Sequence, residues 1–191
     1  MTAPFDPKDY NELVVTESPI PGLFVIELPV HGDNRGWFKE NYNRAKMEQL
    51  GLPHFEIVQN NYSFNVEKGV TRGLHAEPWN KYISLANGRA FCAWVDVRKG
   101  DSFGTTFSVE LTPGRAVFVP RGVANGYQTL EENMIYTYLV DAHWSPDAQY
   151  TMVNAFDPEL HIEWPFDKAA AIRSDKDIAH PLISEITPVE V

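Results

Sequence analysis

Tyr82-Ile83-Ser84-Leu85-Ala86-Asn87-Gly88-Arg89-Ala90-Phe91-Cys92-Ala93-Trp94-Val95-Asp96-Val97 decides the fold class of this 191-residue chain. Two apolar runs flank Asn87-Gly88. That dipeptide accepts the positive φ angles of a type I′ turn, so the stretch reads as a β-hairpin. Further along, residues 105–111 alternate as a strand, Thr112-Pro113-Gly114 turns the chain, and 115–119 form a short strand closed by Pro120-Arg121-Gly122. Residues 134–140, rich in tyrosine and β-branched side chains, make another strand; 23–30 and 37–42 read as earlier ones. One helix is expected in the first half, over 44–50, ended by Gly51 and Pro53. Many short strands without long crossover helices predict an all-β sandwich or barrel and argue against a parallel α/β fold.

The length suits one domain over 1–191, with an N-terminal arm (1–18) and a loop-rich tail carrying a helical turn (165–191). Hydrophobic residues make up 43% and charged residues 22%, which excludes a disordered chain. The net charge of −10 argues against nucleic-acid or anionic-membrane partners. A few arginines in one cleft can still hold an anionic small molecule. No apolar run reaches the length of a membrane helix. Met1-Thr2-Ala3-Pro4-Phe5-Asp6 lacks the basic and apolar regions of a signal peptide, and Cys92 is the only cysteine. A cytoplasmic location is expected, with no internal disulfide.

Five segments could carry chemistry. In Arg72-Gly73-Leu74-His75, with Glu77 and Lys81 after it, strand alternation turns His75 away from Leu74 and Ala76, where an imidazole can act as a general base. Gly114 to Asn125 has the spacing of the second cupin motif, with Asn125 where that motif ends in histidine. The first cupin motif needs a His-x-His pair, and only His75-Ala76-Glu77 is offered. Too few ligands remain for a transition metal, so no metal and no cofactor are expected. In Asp33-Asn34-Arg35-Gly36-Trp37-Phe38-Lys39-Glu40, Arg35 has the planar fork that grips phosphate. Tyr136 and Tyr138 share one strand face. Ser174-Asp175-Lys176-Asp177 reads as a helix N-cap, or as the source of a carboxylate that orients a histidine.

In order along 20–182, these segments resemble the dTDP-4-dehydrorhamnose 3,5-epimerase family. Gln59-Asn60-Asn61-Tyr62-Ser63, Val95-Asp96-Val97-Arg98, Ser102-Phe103-Gly104 and Ile162-Glu163-Trp164-Pro165 also match. The resemblance implies a metal-independent cupin jelly roll, a homodimer that exchanges N-terminal strands, and dTDP-4-dehydro-6-deoxy-D-glucose as a substrate inverted at C3 and C5. It makes His75 the base, Asp177 its partner, Tyr138 the acid for C5, and places Lys81 near the C4 oxygen. Arg35 and Arg72 would bind phosphates. Phe38, Glu40, Gln59, Asn61 and Asn125 would help hold nucleotide and sugar, and Trp79 would stack on thymine or shield the sugar. The reductase that follows in the pathway, dTDP-4-dehydrorhamnose reductase, is the implied pathway or fusion partner.

The sequence departs from the common pattern at Glu77 (usually Gln), Asn125 (usually His), Tyr127 (usually Phe) and in a shortened segment from His75 to Lys81. These departures resemble a minority branch with the same His-Ala-Glu-Pro-Trp stretch. Asp157 is the second choice as partner of His75. The rival readings are a C3-only epimerase or ketoisomerase on a related nucleotide sugar, a cupin that only binds such a sugar, and a metal-dependent cupin oxygenase.

Overall fold

Short strands punctuated by glycine and proline pair antiparallel here. The computed structural model describes residues 5–191, so the first four residues of the expected arm lie outside it. One sheet holds β1 (Val14–Glu17), β2 (Phe24–Glu27), β5 (Gln59–Asn65), β7 (Lys81–Asn87), β10 (Arg115–Val119) and β12 (Met134–Val140), in the order β1-β2-β10-β7-β12-β5. The second holds β6 (Thr71–Ala76), β8 (Ala90–Asp96), β9 (Thr106–Leu111), β11 (Val123–Thr129) and β13 (Thr151–Met152), in the order β13-β6-β11-β8-β9. A separate ribbon pairs β3 (Val30–Asp33) with β4 (Gly36–Lys39). This is the all-β sandwich expected of a cupin-type jelly roll. Among the described residues, no helix is long and apolar enough to cross a membrane.

Three apolar layers hold the sheets. Ile83, Leu85, Val117 and Tyr136 from the first sheet meet Cys92, Trp94, Val123 and Tyr127 from the second. Tyr82, Ala116 and Phe118 point the other way, and α1 (Arg44–Gln49) with Leu52 and Phe55 covers them. On the outer face of the second sheet, Leu74, Ala76, Val95 and Ala124 lie under Val153, Leu160 and Ile183 of the C-terminal region. Central strands are therefore buried on both faces and read as continuous apolar runs rather than as alternation.

The expected hairpin over 82–97 is not one. Its two halves are strands, β7 and β8, but β7 pairs with β10 and β12, while β8 pairs with β9 and β11. Gly88 has φ 80° whereas Asn87 has no positive φ. A type I′ turn requires both, and the turn instead carries the chain across the sandwich. Residues 23–30 split at Pro29, which cannot donate to a ladder, into β2 and the start of β3; β4 ends at Lys39. Four strands are not among those expected from the sequence: β5, β11, the two-residue β13, and β1, which lies inside the expected N-terminal arm and pairs with β2 through Val14–Glu17. In β5 the register is hidden by asparagines. In β11, Val-Ala-Asn-Gly-Tyr-Gln-Thr is buried throughout, and Gln128 exchanges hydrogen bonds with the Phe166 backbone (Nε2 to O 2.8 Å, N to Oε1 2.9 Å).

Candidate active site

Between the sheets lies a cleft of about 180 Å³, lined by His75 and Arg72 from β6, Asn125 and Tyr127 from β11, and Tyr136, Tyr138 and Lys81 from the opposite sheet. Strict alternation along β6 would send Arg72 and His75 to opposite faces. A register shift in the β6–β11 ladder between Asn125 and Tyr127 brings both into the cleft. Gly73, at φ 121°, makes that shift possible.

Asn125 stands opposite His75 in the ladder. His75 Nε2 lies 2.7 Å from Asp177 Oδ1. A carboxylate at Nε2 holds the proton there and leaves Nδ1 with the lone pair. Asp177 sits in the single turn α2 (Asp175–Ile178), where Ser174 is the N-cap. Ser174 Oγ accepts from the Asp177 backbone N–H at 3.1 Å and donates to Asp177 Oδ2 at 2.9 Å. The segment is thus a helix N-cap, and the same turn sets Asp177 against His75. Burial pushes the Asp177 carboxyl up, but the hydrogen bond and charge of His75, with Ser174, outweigh it and keep the carboxyl below its ordinary value. Asp157 is not the partner: its oxygens accept from the backbone N–H groups of Ile183 and Glu159.

On the opposite wall, Lys81 Nζ donates to Asn125 Oδ1 at 2.6 Å and lies 5.5 Å from the Tyr138 ring centroid. It also forms an ion pair with Glu77. Burial pushes the Lys81 ammonium down to about 7. Burial raises the Tyr138 phenol, which keeps it protonated at neutral pH. Tyr136 packs edge-on to Tyr138 and stacks on Tyr127 at 4.2 Å.

Arg72 Nε donates to Asn65 Oδ1 at 3.1 Å, and the Tyr127 hydroxyl donates to the same oxygen at 3.2 Å. The departure at Tyr127 thus supplies a hydroxyl to the group that orients Arg72. Gln59 Nε2 donates to Asn61 Oδ1 at 2.8 Å, and both share a face of β5 with Ser63, which lines the cleft.

The remaining expected site residues are elsewhere. Arg35, 85% exposed at its side chain, is paired with Asp33 on the ribbon. Phe38, on the same ribbon, is 65% exposed. Glu40 is paired with Lys46. Trp79 does not present its ring to the cleft: it is buried and meets Tyr150 edge-on at 5.7 Å. Sequence reading passed over Ser63, Asn65, Glu77 as a cleft residue, and His180. Ser63 and Asn65 follow by period two from Gln59 and Asn61, and Glu77 by its place between His75 and Lys81; His180 depends on contacts between distant segments. The His180 ring lies 5.3 Å from that of His75, with Nε2 3.7 Å from Asp177 Oδ1. Among the described residues, His75, Asp177 and His180 are the one group of donors gathered closely enough to hold a metal ion. Asp177 Oδ1 is already engaged by His75 in that group.

The family described as dTDP-4-dehydrorhamnose 3,5-epimerase matches residues 17–185. A protein of Streptococcus pyogenes serotype M6 named Protein RmlC homolog is 48% identical over 178 residues, covering 90% of this chain and 89% of its own. The dTDP-4-dehydrorhamnose 3,5-epimerase of Salmonella typhimurium is 33% identical over 180 residues, covering 91% and 97%. The solved structure of RmlC from Streptococcus suis in complex with dTDP-D-xylose is similar at a TM-score of 0.89 and 44% identity, covering 94% of this chain and 95% of that one.

Proposed function

The chain belongs to the dTDP-4-dehydrorhamnose 3,5-epimerase family, and we propose that His75 is the base that opens its reaction. The enzyme is a carbohydrate epimerase of dTDP-L-rhamnose biosynthesis. It converts dTDP-4-dehydro-6-deoxy-D-glucose to dTDP-4-dehydro-L-rhamnose. The C–H bonds at C3 and C5 flank the C4 ketone, so removing either proton puts negative charge on the C4 oxygen. His75 Nδ1 takes the proton while Asp177 stabilises the imidazolium. The Lys81 ammonium meets the charge developing at O4. Tyr138, on the opposite wall, returns a proton to C5 from the other face. Arg72 pairs with the diphosphate, and Gln59, Asn61 and Asn125 hold nucleotide and sugar.

The observation that carries this reading is the 2.7 Å His75–Asp177 hydrogen bond in one cleft with Tyr138 and Lys81. Turnover in D₂O tests it. Deuterium at both C3 and C5 supports double inversion; label at C3 alone removes it in favour of a C3 epimerase. Turnover that survives exhaustive chelation separates this chemistry from a metal-dependent cupin oxygenase.

A homodimer with exchanged N-terminal strands belongs to the same reading. Arg35 and Phe38 on the ribbon, and Glu40 at its end, lie outside their own cleft, and the ribbon exposes Trp37 and Phe38. These residues would serve a second copy's nucleotide. The buried, unpaired Cys92 suits a reducing cytoplasm, and the product would pass to dTDP-4-dehydrorhamnose reductase.

A further inference from the structure

Glu77 has no role in the chemistry above, yet its side chain is part of the cleft. β6 ends at Ala76 and β7 begins at Lys81, so Glu77-Pro78-Trp79-Asn80 is all that joins the two sheets here. This bridge is pinned along its length. Trp79 is buried against Tyr150. Asn80 donates from N and Nδ2 to the Asp141 carboxylate at 2.9 and 2.6 Å, and its Oδ1 accepts from the Arg121 backbone N–H at 2.9 Å. The carboxylate at one end and the ammonium at the other meet as an ion pair, with side-chain exposures of 14% and 7%. Asn125 Oδ1 fixes a second direction of Nζ, and the Tyr138 ring a third.

We propose that Glu77 is a positioning residue for epimerisation: its carboxylate keeps the Lys81 ammonium charged and directed into the cleft, at the place where O4 of the substrate becomes an oxyanion. This rests on the reading of Lys81 given above. An ammonium out of water is driven to lose its proton, and burial acts on Lys81 in that direction. A neutral amine would stabilise an enolate poorly. The other groups facing Lys81 do not supply the missing negative charge. Arg72 and His75 from β6 are cationic or become so in turnover. Tyr127 from β11, and Tyr136 and Tyr138 from β12, are held neutral because burial raises their phenols. Asp177 is bound to His75, and Asp141 to Asn80. Glu77 is the one acidic side chain among the described residues in ion-pair contact with Lys81. A glutamine could hydrogen-bond in its place without offsetting the charge.

The test compares the wild type, Glu77→Gln, Glu77→Asp and Lys81→Met, using dTDP-4-dehydro-6-deoxy-D-glucose. Two quantities are read: the pH profile of kcat, and the ¹³C-ε NMR titration of the free enzyme, with Lys81→Met assigning the signal. In Glu77→Gln the Lys81 midpoint and the basic limb of kcat move down together by about one pH unit or more. At pH 8 kcat falls about tenfold while KM stays within about twofold. Glu77→Asp returns most of the shift. Should Glu77→Gln fold poorly, Glu77→Asp decides through a smaller downward move of the same midpoint. An unmoved midpoint and limb in a folded Glu77 variant overturn the proposal. Wild-type turnover by Lys81→Met overturns instead the reading on which it rests.

Discussion

Gly73 and Gly126 face one another across the β6–β11 ladder so closely that a Cβ on Gly73 would stand 2.5 Å from Gly126 Cα. A Cβ on Gly126 would lie 2.8 Å from the Arg72 carbonyl oxygen. This contact lies at the register shift that turns Arg72 and His75 into the same cleft. Gly73→Ala adds a clash to a positive φ. It should destabilise the fold by about 1–3 kcal/mol or more and reduce activity beyond what the lower folded fraction explains. Thermal unfolding and kcat per folded molecule measure both effects. An alanine there with unchanged Tm and kcat would refute this account of the cleft.

Asp177→Asn keeps the shape of the His75 contact but removes its charge, and the amide can donate to Nε2 and reverse the imidazole tautomer. kcat should fall by about 10²–10⁴ with KM little changed. A stability effect follows from the lowered carboxyl. Its folded value lies below its unfolded one, so its contribution is present above the unfolded value and is lost as pH falls through the folded value. Acid unfolding of Asp177→Asn should therefore be less steep below about pH 4. Urea midpoints measured from pH 6 to pH 2.5 check the sign.

Tyr138→Phe removes the phenol proposed as proton donor on the wall opposite His75 and leaves the proposed base intact. Exchange at C3 should persist in D₂O, while inversion at C5 drops by about 10²–10⁴. Proton NMR of the sugar separates the two positions. Equal loss at C3 and C5 would make Tyr138 a packing residue.

Asn65→Ala takes away the acceptor shared by Arg72 and the Tyr127 hydroxyl. Arg72 would then be free to leave the pose proposed for pairing with the diphosphate. KM should rise about tenfold with kcat within about twofold, the pattern of lost uniform binding. Tyr127→Phe should give a smaller rise, because Asn65 still holds Arg72. Steady-state kinetics on the dTDP-sugar distinguish the two.

Local signals hold where turn residues and side-chain branching decide the backbone within a few positions. Strands 115–119 and 134–140 emerge with the expected bounds, because turn residues and β-branched runs act within a few positions. The helix over 44–50 forms as α1, capped by Asn43, whose side chain accepts from the Lys46 N–H. His75 lies on the face opposite Leu74 and Ala76, as alternation demands. The order of the motifs carried the family and the reaction.

Strand pairing and the identity of side-chain partners were decided by contacts the linear pattern does not encode. Asn87-Gly88 joins two strands of different sheets because β7 and β8 each find both neighbours elsewhere. Asp177 reaches His75 across 102 positions, a choice over Asp157 that depends on how the C-terminal region covers the second sheet. Local preference concerns a residue and its near neighbours. Burial of two-faced strands is satisfied only by the whole chain at once, and that is what brought an imidazole, a carboxylate, a phenol and an ammonium together.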